Sequence, residues 1–137
     1  EWFYEYYWYQ FLTQEGYIVV TIDSRGTDGR GSQFRKQTYL NLGDKESYDF
    51  AKITKKIKQL SFVDSSNVAI QGWSYGGYMS LLTAGKYPNT YKAVVAIAPV
   101  SNWKNYDNIY TERYMQLPQE NPHGHPLLGL RSGRGVQ

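Results

Sequence analysis

Asn67-Val68-Ala69-Ile70-Gln71-Gly72-Trp73-Ser74-Tyr75-Gly76-Gly77 reads as a strand that breaks into a helix at a serine. The apolar run from Asn67 to Gln71 ends in G-x-S-x-G, and a helix-like pattern then continues to about Gly85, before Pro88. A serine on so sharp a strand-to-helix turn sits in a strained backbone conformation with its hydroxyl held above the sheet. Glycines two residues to each side let the chain fold that tightly. The turn sets the amide N–H of Tyr75 at the start of the helix, where free donors and the helix dipole favour an oxyanion. Ser74 is therefore the candidate nucleophile. A G-x-S-x-G string arises by chance in roughly a few per cent of chains of this length. A chance string would usually lack the strand before it, the helix after it, Gly77 and a second apolar strand beyond.

Working outward, residues 1 to 14 crowd Trp2, Phe3, Tyr4, Tyr6, Tyr7, Trp8, Tyr9 and Phe11 into a segment that predicts a helix stopped at Gly16. Tyr17 to Ile22 is β-branched and nearly continuous, the pattern of a strand buried on both faces. Asp23 to Gly43 predicts a long loop with one short helix. Phe50, Ile53, Ile57 and Leu60 then recur at helical spacing with the lysines turned outward. Lys92 to Ala98 predicts another buried strand. Strands alternating with helices over short connections predict an α/β fold, a parallel sheet with helices on both faces. Active residues of such sheets lie beyond the carboxyl ends of the strands. Ser74 is at one such end and Pro99 to Tyr110 begins at the next. That second loop carries Val100, Asn102, Trp103, Tyr106 and Tyr110, and is expected to overhang the serine as an apolar pocket with a few hydroxyl donors. The same aromatics would also suit packing under a neighbouring domain. Beyond Tyr114 the patterning fades, so residues 123–137 read as a divergent, unstructured tail after a domain spanning 1–122.

A hydrophobic fraction of 41% and an aromatic fraction of 17% describe a globular chain, and 137 residues allow one modest core. The net charge of +3 draws on Lys52, Lys55, Lys56 and Lys58 in one segment, a pattern expected of a solvated helix face and not of a nucleic-acid site. With no cysteine there is no disulfide, thiol nucleophile or Cys-based zinc site. His123-Gly124-His125 lacks a third ligand at a set distance, so no metal or other cofactor is expected. No apolar run reaches the ~20 residues that span a bilayer, and residues 1 to 20 lack a signal-peptide pattern. The chain begins at Glu1 and not at Met, which leads to the expectation of a larger protein.

With the elbow and aromatic loop placed, the chain resembles part of the catalytic domain of the prolyl oligopeptidase (S9) family of serine peptidases, and within it the dipeptidyl peptidase IV subfamily. The resemblance rests on Gly72 to Tyr78, on Ala98-Pro99-Val100-Ser101-Asn102-Trp103, and on Tyr106-Asp107 to Met115 with its Tyr110-Thr111-Glu112-Arg113-Tyr114. Asp23-Ser24-Arg25-Gly26-Thr27 and Phe34-Arg35-Lys36 add to it, and coverage runs from about Trp8 to Pro122. It implies an incomplete α/β-hydrolase fold and release of N-terminal dipeptides after a penultimate Pro or Ala. Ser74 would attack, the Tyr75 amide would supply half of the oxyanion hole, and Tyr75, Val100, Trp103, Tyr106 and Tyr110 would line the proline pocket. It also implies a propeller domain outside this chain, whose acidic pair holds the substrate amine. A homodimer of the full-length protein stays open, as does a periplasmic, extracellular or membrane-associated location.

The departures concern the triad. In this family the Asp and His follow the serine, on loops after later strands, and no strand-like run follows Ala98. The family's second oxyanion donor, a tyrosine, would precede Glu1. Ser74, Asp107 and His123 have the right order, but no strand aims His123 at the elbow. The chain alone is thus expected to be inactive. Two further readings share the elbow: an esterase or lipase, which would not need the aromatic slot, and a non-catalytic pseudo-enzyme that uses it for binding.

Overall fold

The computed structural model describes residues 2–122 and Gly124. The expected tail, with His123 and His125, otherwise lies outside the described residues. The elements run in the order α1 (Trp2–Gln14), α2 (Ser32–Arg35), α3 (Asp44–Ile57), β1 (Ala69–Trp73), α4 (Tyr75–Lys86), β2 (Ala93–Ile97) and α5 (Asn108–Met115). Short 3-10 turns occupy Lys36–Thr38 and Trp103–Asn105.

β1 and β2 pair in parallel, with Ala69 opposite Ala93 and Trp73 opposite Ile97. Parallel neighbours need a crossover, and α4 supplies it. Side chains alternate along β1, so Ile70 and Gly72 share one face while Ala69, Gln71 and Trp73 share the other. The Gly72 face lies against α4. On the opposite face the Trp8 indole N–H of α1 donates to the Gln71 side chain at 3.4 Å. Helices thus reach the sheet from both sides.

α1 stops where the sequence indicates. Gly16 takes φ 88°, its N–H donates to the Thr13 carbonyl, and the Tyr17 N–H donates to the Leu12 carbonyl. This is the glycine-terminated Schellman arrangement. Tyr17 to Ile22, by contrast, is not a strand. No described strand pairs with it, and Ile18 and Val20 are 55% and 49% exposed. A β-branched run is fit for a ladder, but a strand exists only where a neighbour accepts its backbone hydrogen bonds. β2 departs in the same way from the expected burial, since Val94, Val95 and Ile97 stay exposed.

α3 begins after Gly43, whose φ of 91° is reserved in practice for glycine. The expected apolar stripe of Phe50, Ile53 and Ile57 is only half-buried, and Leu60 falls beyond the helix end. The fully buried positions are Glu46, Ser47, Ala51 and Thr54, with Phe50 packed beside them against the core. Small side chains let the α3 and α4 backbones approach closely, so this contact selects size over hydrophobicity. Lys58 does not point away as expected: its ammonium donates to the Thr90 carbonyl at 2.8 Å.

The long loop from Asp23 to Gly43 is tied down at both ends. Arg25 meets Asp49 of α3 through its side chain at 2.7 to 3.1 Å and its backbone N–H at 3.0 Å. Farther along, the Leu40 N–H donates to the Tyr114 carbonyl, and Asn121 Nδ2 donates to the carbonyls of Leu40 and Met115. The core sits between this loop, α4 and the segment after β2. It consists of Leu42, Tyr78, Met79, Val100, Trp103 and Met115, with Tyr75, Tyr106 and Tyr110 packed against it.

Candidate active site

Ser74 stands between β1 and α4 at φ 54° and ψ −113°, a conformation that L-residues rarely adopt. Three contacts impose it. The Ser74 N–H donates to the Ile97 carbonyl at the end of β2, and its carbonyl accepts from the Tyr78 N–H in the first turn of α4. The third is the approach of Gly72 to Gly76, so close that a side-chain carbon on Gly72 would overlap the Gly76 backbone.

The glycines divide their work differently from the sequence expectation. A carbon added to Gly76 would meet nothing, whereas one on Gly77 would lie 2.9 Å from the Ile97 carbonyl oxygen and 3.1 Å from Pro99. Gly72 and Gly77 are therefore the sterically required pair. Gly76 supplies the backbone against which Gly72 rests, and its carbonyl accepts from the Ser80 hydroxyl. At the end of β2 a second residue, Ala98, takes φ 44°. The two strained positions sit side by side where the strands finish.

Ser74, Tyr75, Val100, Trp103, Tyr106 and Tyr110 line one pocket of about 50 Å³. Each ordered water needs roughly 10 to 15 Å³ of such space, so this volume suits a small ring or short side chain. The walls are rings in mutual contact: Trp103 stacks on Tyr110 with centroids 6.0 Å apart and planes 5° apart, and meets Tyr106 edge-on at 5.7 Å. Edge-to-face and offset-stacked pairs of this kind hold one another in register. Trp103 is 2% exposed, so it serves as wall and as core at once. Its indole N–H has no partner among the described residues. The rings of this segment pack against the core of the chain and line the pocket together.

The pattern from Pro99 to Tyr110 predicts a loop throughout. The structure starts α5 at Asn108, with the Asp107 carboxylate accepting from the Tyr110 N–H at 2.9 Å as its cap. Asp107 thus fixes a pocket residue in place, which is where its side chain is engaged. His123, the last member of the Ser74, Asp107, His123 ordering, lies outside the described residues.

Two carboxylates of α3 are not singled out by the sequence, and one of them lies beside the pocket. Glu46, 4% exposed, lies under Tyr75 and accepts its hydroxyl at 2.6 Å. Burial pushes the Glu46 carboxyl above the usual carboxylate range, against the pull of the Tyr75 and Gly43 donors. Burial first, and then the Glu46 charge, raises the Tyr75 phenol, which keeps its proton and stays a donor. Asp49 goes the other way. Its burial is outweighed by the hydrogen bonds and charge of Arg25, and its pKa falls below the ordinary 3.8. The only signal for Glu46 in the sequence is its place three residues after Gly43, the spacing at which a glutamate reaches back to a helix start.

A parallel pair crossed over by a helix, with a strained serine at the junction, defines the α/β-hydrolase class. The chain belongs to the prolyl oligopeptidase family, whose model matches residues 3–128. It is 47% identical over 125 residues to the protein described as "Probable dipeptidyl-aminopeptidase B" of Arthroderma gypseum, an alignment covering 88% of this chain and 13% of that one. A protein of the same description from Aspergillus terreus is 48% identical over 114 residues, covering 80% and 12%. Among solved structures, the crystal structure of Porphyromonas gingivalis dipeptidyl peptidase 4 superposes with a TM-score of 0.83 at 45% identity. That match covers 86% of this chain and 17% of the other. The two strands and their helices therefore correspond to part of the α/β-hydrolase domain of dipeptidyl peptidase structures. The chain spans about an eighth of the length of the curated relatives it matches.

Proposed function

We propose that this chain is the nucleophile-bearing segment of a dipeptidyl peptidase IV-like serine exopeptidase, which releases N-terminal dipeptides after Pro or Ala. The observation that carries the reading is a strained serine at the mouth of a small ring-walled pocket. Ser74 Oγ attacks the scissile carbonyl as its proton passes to the base, the C–N bond breaks and the remaining peptide leaves as its amine, and water then hydrolyses the acyl-enzyme to free the dipeptide and restore the Ser74 hydroxyl. The Tyr75 N–H, free at the start of α4, donates to the oxyanion. Tyr75, Val100, Trp103, Tyr106 and Tyr110 accept the proline ring. Flat walls and limited volume exclude long side chains by shape, so a penultimate Pro or Ala is favoured. The general base and its orienting acid come from residues outside this chain, as does a propeller domain that holds the substrate amine. Without that base Ser74 is a weak nucleophile, and the 137-residue chain alone is inactive.

The test is hydrolysis of Gly-Pro-4-nitroanilide by the full-length polypeptide and its Ser74→Ala variant. Loss of a triad member costs kcat on the order of 10⁴ or more, and that drop is expected here. Equal rates remove Ser74 from the mechanism. Preference for acyl esters over prolyl amides would point to an esterase. Failure of a fluorophosphonate to label Ser74 would point to a non-catalytic binding protein.

A further inference from the structure

A buried carboxylate with two donors aimed at it lies behind the pocket wall, and the mechanism above makes no use of it. Glu46 occupies the third position of α3. One of its oxygens accepts the Gly43 N–H at 3.0 Å and the other accepts the Tyr75 hydroxyl at 2.6 Å. The first bond belongs to the helix start and would be made in any glutamate-capped helix. The second reaches 29 residues along the chain, to the residue that follows the nucleophile.

The surroundings make that second bond a clamp. Gly43 packs so closely on α4 that an added carbon would lie 2.6 Å from the Tyr78 hydroxyl and would overlap Leu82. The Tyr78 hydroxyl donates to the Leu42 carbonyl at 3.0 Å. The start of α3 therefore grips two successive rings of α4, Tyr75 and Tyr78, by their hydroxyls. Those rings touch each other at 5.6 Å and touch Trp103 at 6.0 and 5.2 Å. Tyr75 is thus fixed at both ends, by its backbone at the turn and by its hydroxyl at Glu46. A carboxylate suits this position because both its oxygens accept. A glutamine would present an N–H to one of two donors and leave one of them unmet.

We infer that Glu46 is a positioning residue for the pocket: by accepting the Tyr75 hydroxyl it immobilises the ring that forms one wall, and so sets how strictly the pocket selects a proline-sized group. The inference rests on the peptidase reading and adds the residue that tunes its selectivity. Without the clamp the Tyr75 ring gains freedom, proline loses a preformed wall, and smaller or more flexible side chains lose less. Selectivity falls because binding no longer begins from a fixed shape.

The experiment measures kcat and KM for Gly-Pro and Gly-Ala 4-nitroanilides with the full-length wild-type polypeptide, Glu46→Ala, which removes both acceptor oxygens, Tyr75→Phe and the double variant. Both single variants are expected to lower the Pro/Ala ratio of kcat/KM by about tenfold, the scale of one hydrogen bond to a charged group. The double variant is expected to lower it no further, because the two changes remove the same bond. A ratio within about twofold of wild type in either single variant, or losses that multiply in the double variant, overturns the inference. Should Glu46→Ala fail to fold, Tyr75→Phe decides alone, since it keeps the ring and removes only the clamp. A wild type inactive on every dipeptidyl amide sinks the peptidase reading, and this inference with it. An active wild type with an unchanged Pro/Ala ratio in both single variants sinks the inference alone.

Discussion

The turn at Ser74 and the segment from Tyr17 to Ile22 are both apolar stretches with clear patterns, yet one is held from every side and the other is open. Around the turn, constraints are redundant and both near and distant along the chain: a helix bond to Tyr78 and glycines in contact, a bond to Ile97 at the end of β2, and a ring cluster that includes Trp103. Tyr17 to Ile22 has the composition of a strand but lacks a described partner. A bend can be specified by a few residues that touch one another. A strand in a parallel sheet is a relation with a distant segment, and its residues specify only half of it.

The sharpest way to break this contrast is amide hydrogen exchange on the chain itself. Amides of α4 from Tyr78 onward are expected to exchange slower than those of Ile18 to Ile22 by on the order of 10³ or more. Equal rates would erase the distinction. A smaller but still large effect is expected of Trp103→Ala, which removes wall and core together. It should cost about 3 to 5 kcal/mol in denaturant unfolding.

The glycines refine the comparison within the turn. Gly72→Ala is expected to cost about 1 to 3 kcal/mol, since Gly76 must move, and to slow fluorophosphonate labelling of Ser74. Gly76→Ala should stay within about 1 kcal/mol of wild type, because the added methyl meets nothing and alanine favours the helix. Equal costs at the two sites would mean that the contact between them does not set the bend.

Smallest are the effects of charge on α3, where Glu46 and Asp49 sit one turn apart with opposite shifts. Asp49 is depressed, so its contribution is present above 3.8 and is lost as pH falls through its lower folded value. Asp49→Asn should cost at most about 1 kcal/mol at neutral pH, because the Arg25 pair is partly exposed to solvent. That difference should shrink on acidification. Glu46 is raised, so its contribution is present below 4.5 and is lost as pH rises through its higher folded value. Carboxyl titration by NMR should find the two on opposite sides of their ordinary values, and two unshifted curves would contradict the burial and pairing seen here.

Legibility followed the range of the interaction. Gly16 as a helix stop is readable because its deciding contacts lie within a few residues, and the serine turn is readable through Gly72, Gly76 and the Tyr78 bond, while its tie to Ile97 comes from the next strand. α3 is readable as a helix, but only part of its packed face is. The apolar stripe marks that face at Phe50, while the fully buried positions beside it, Glu46, Ser47, Ala51 and Thr54, are small or polar. The pocket residues were nameable through family likeness. That Tyr110 stands on a helix capped by Asp107, and not on a loop, was not.

By itself the sequence determined where the chain bends, which serine the bend presents, and which rings are near enough in sequence to surround it, because sterics and backbone donors act over short distances. Only the tertiary structure decided which apolar runs become strands, which glycines the turn cannot spare, and that Glu46 meets Tyr75. Those depend on atoms far apart along the chain, brought together by close packing and by the need of every buried polar group for a partner.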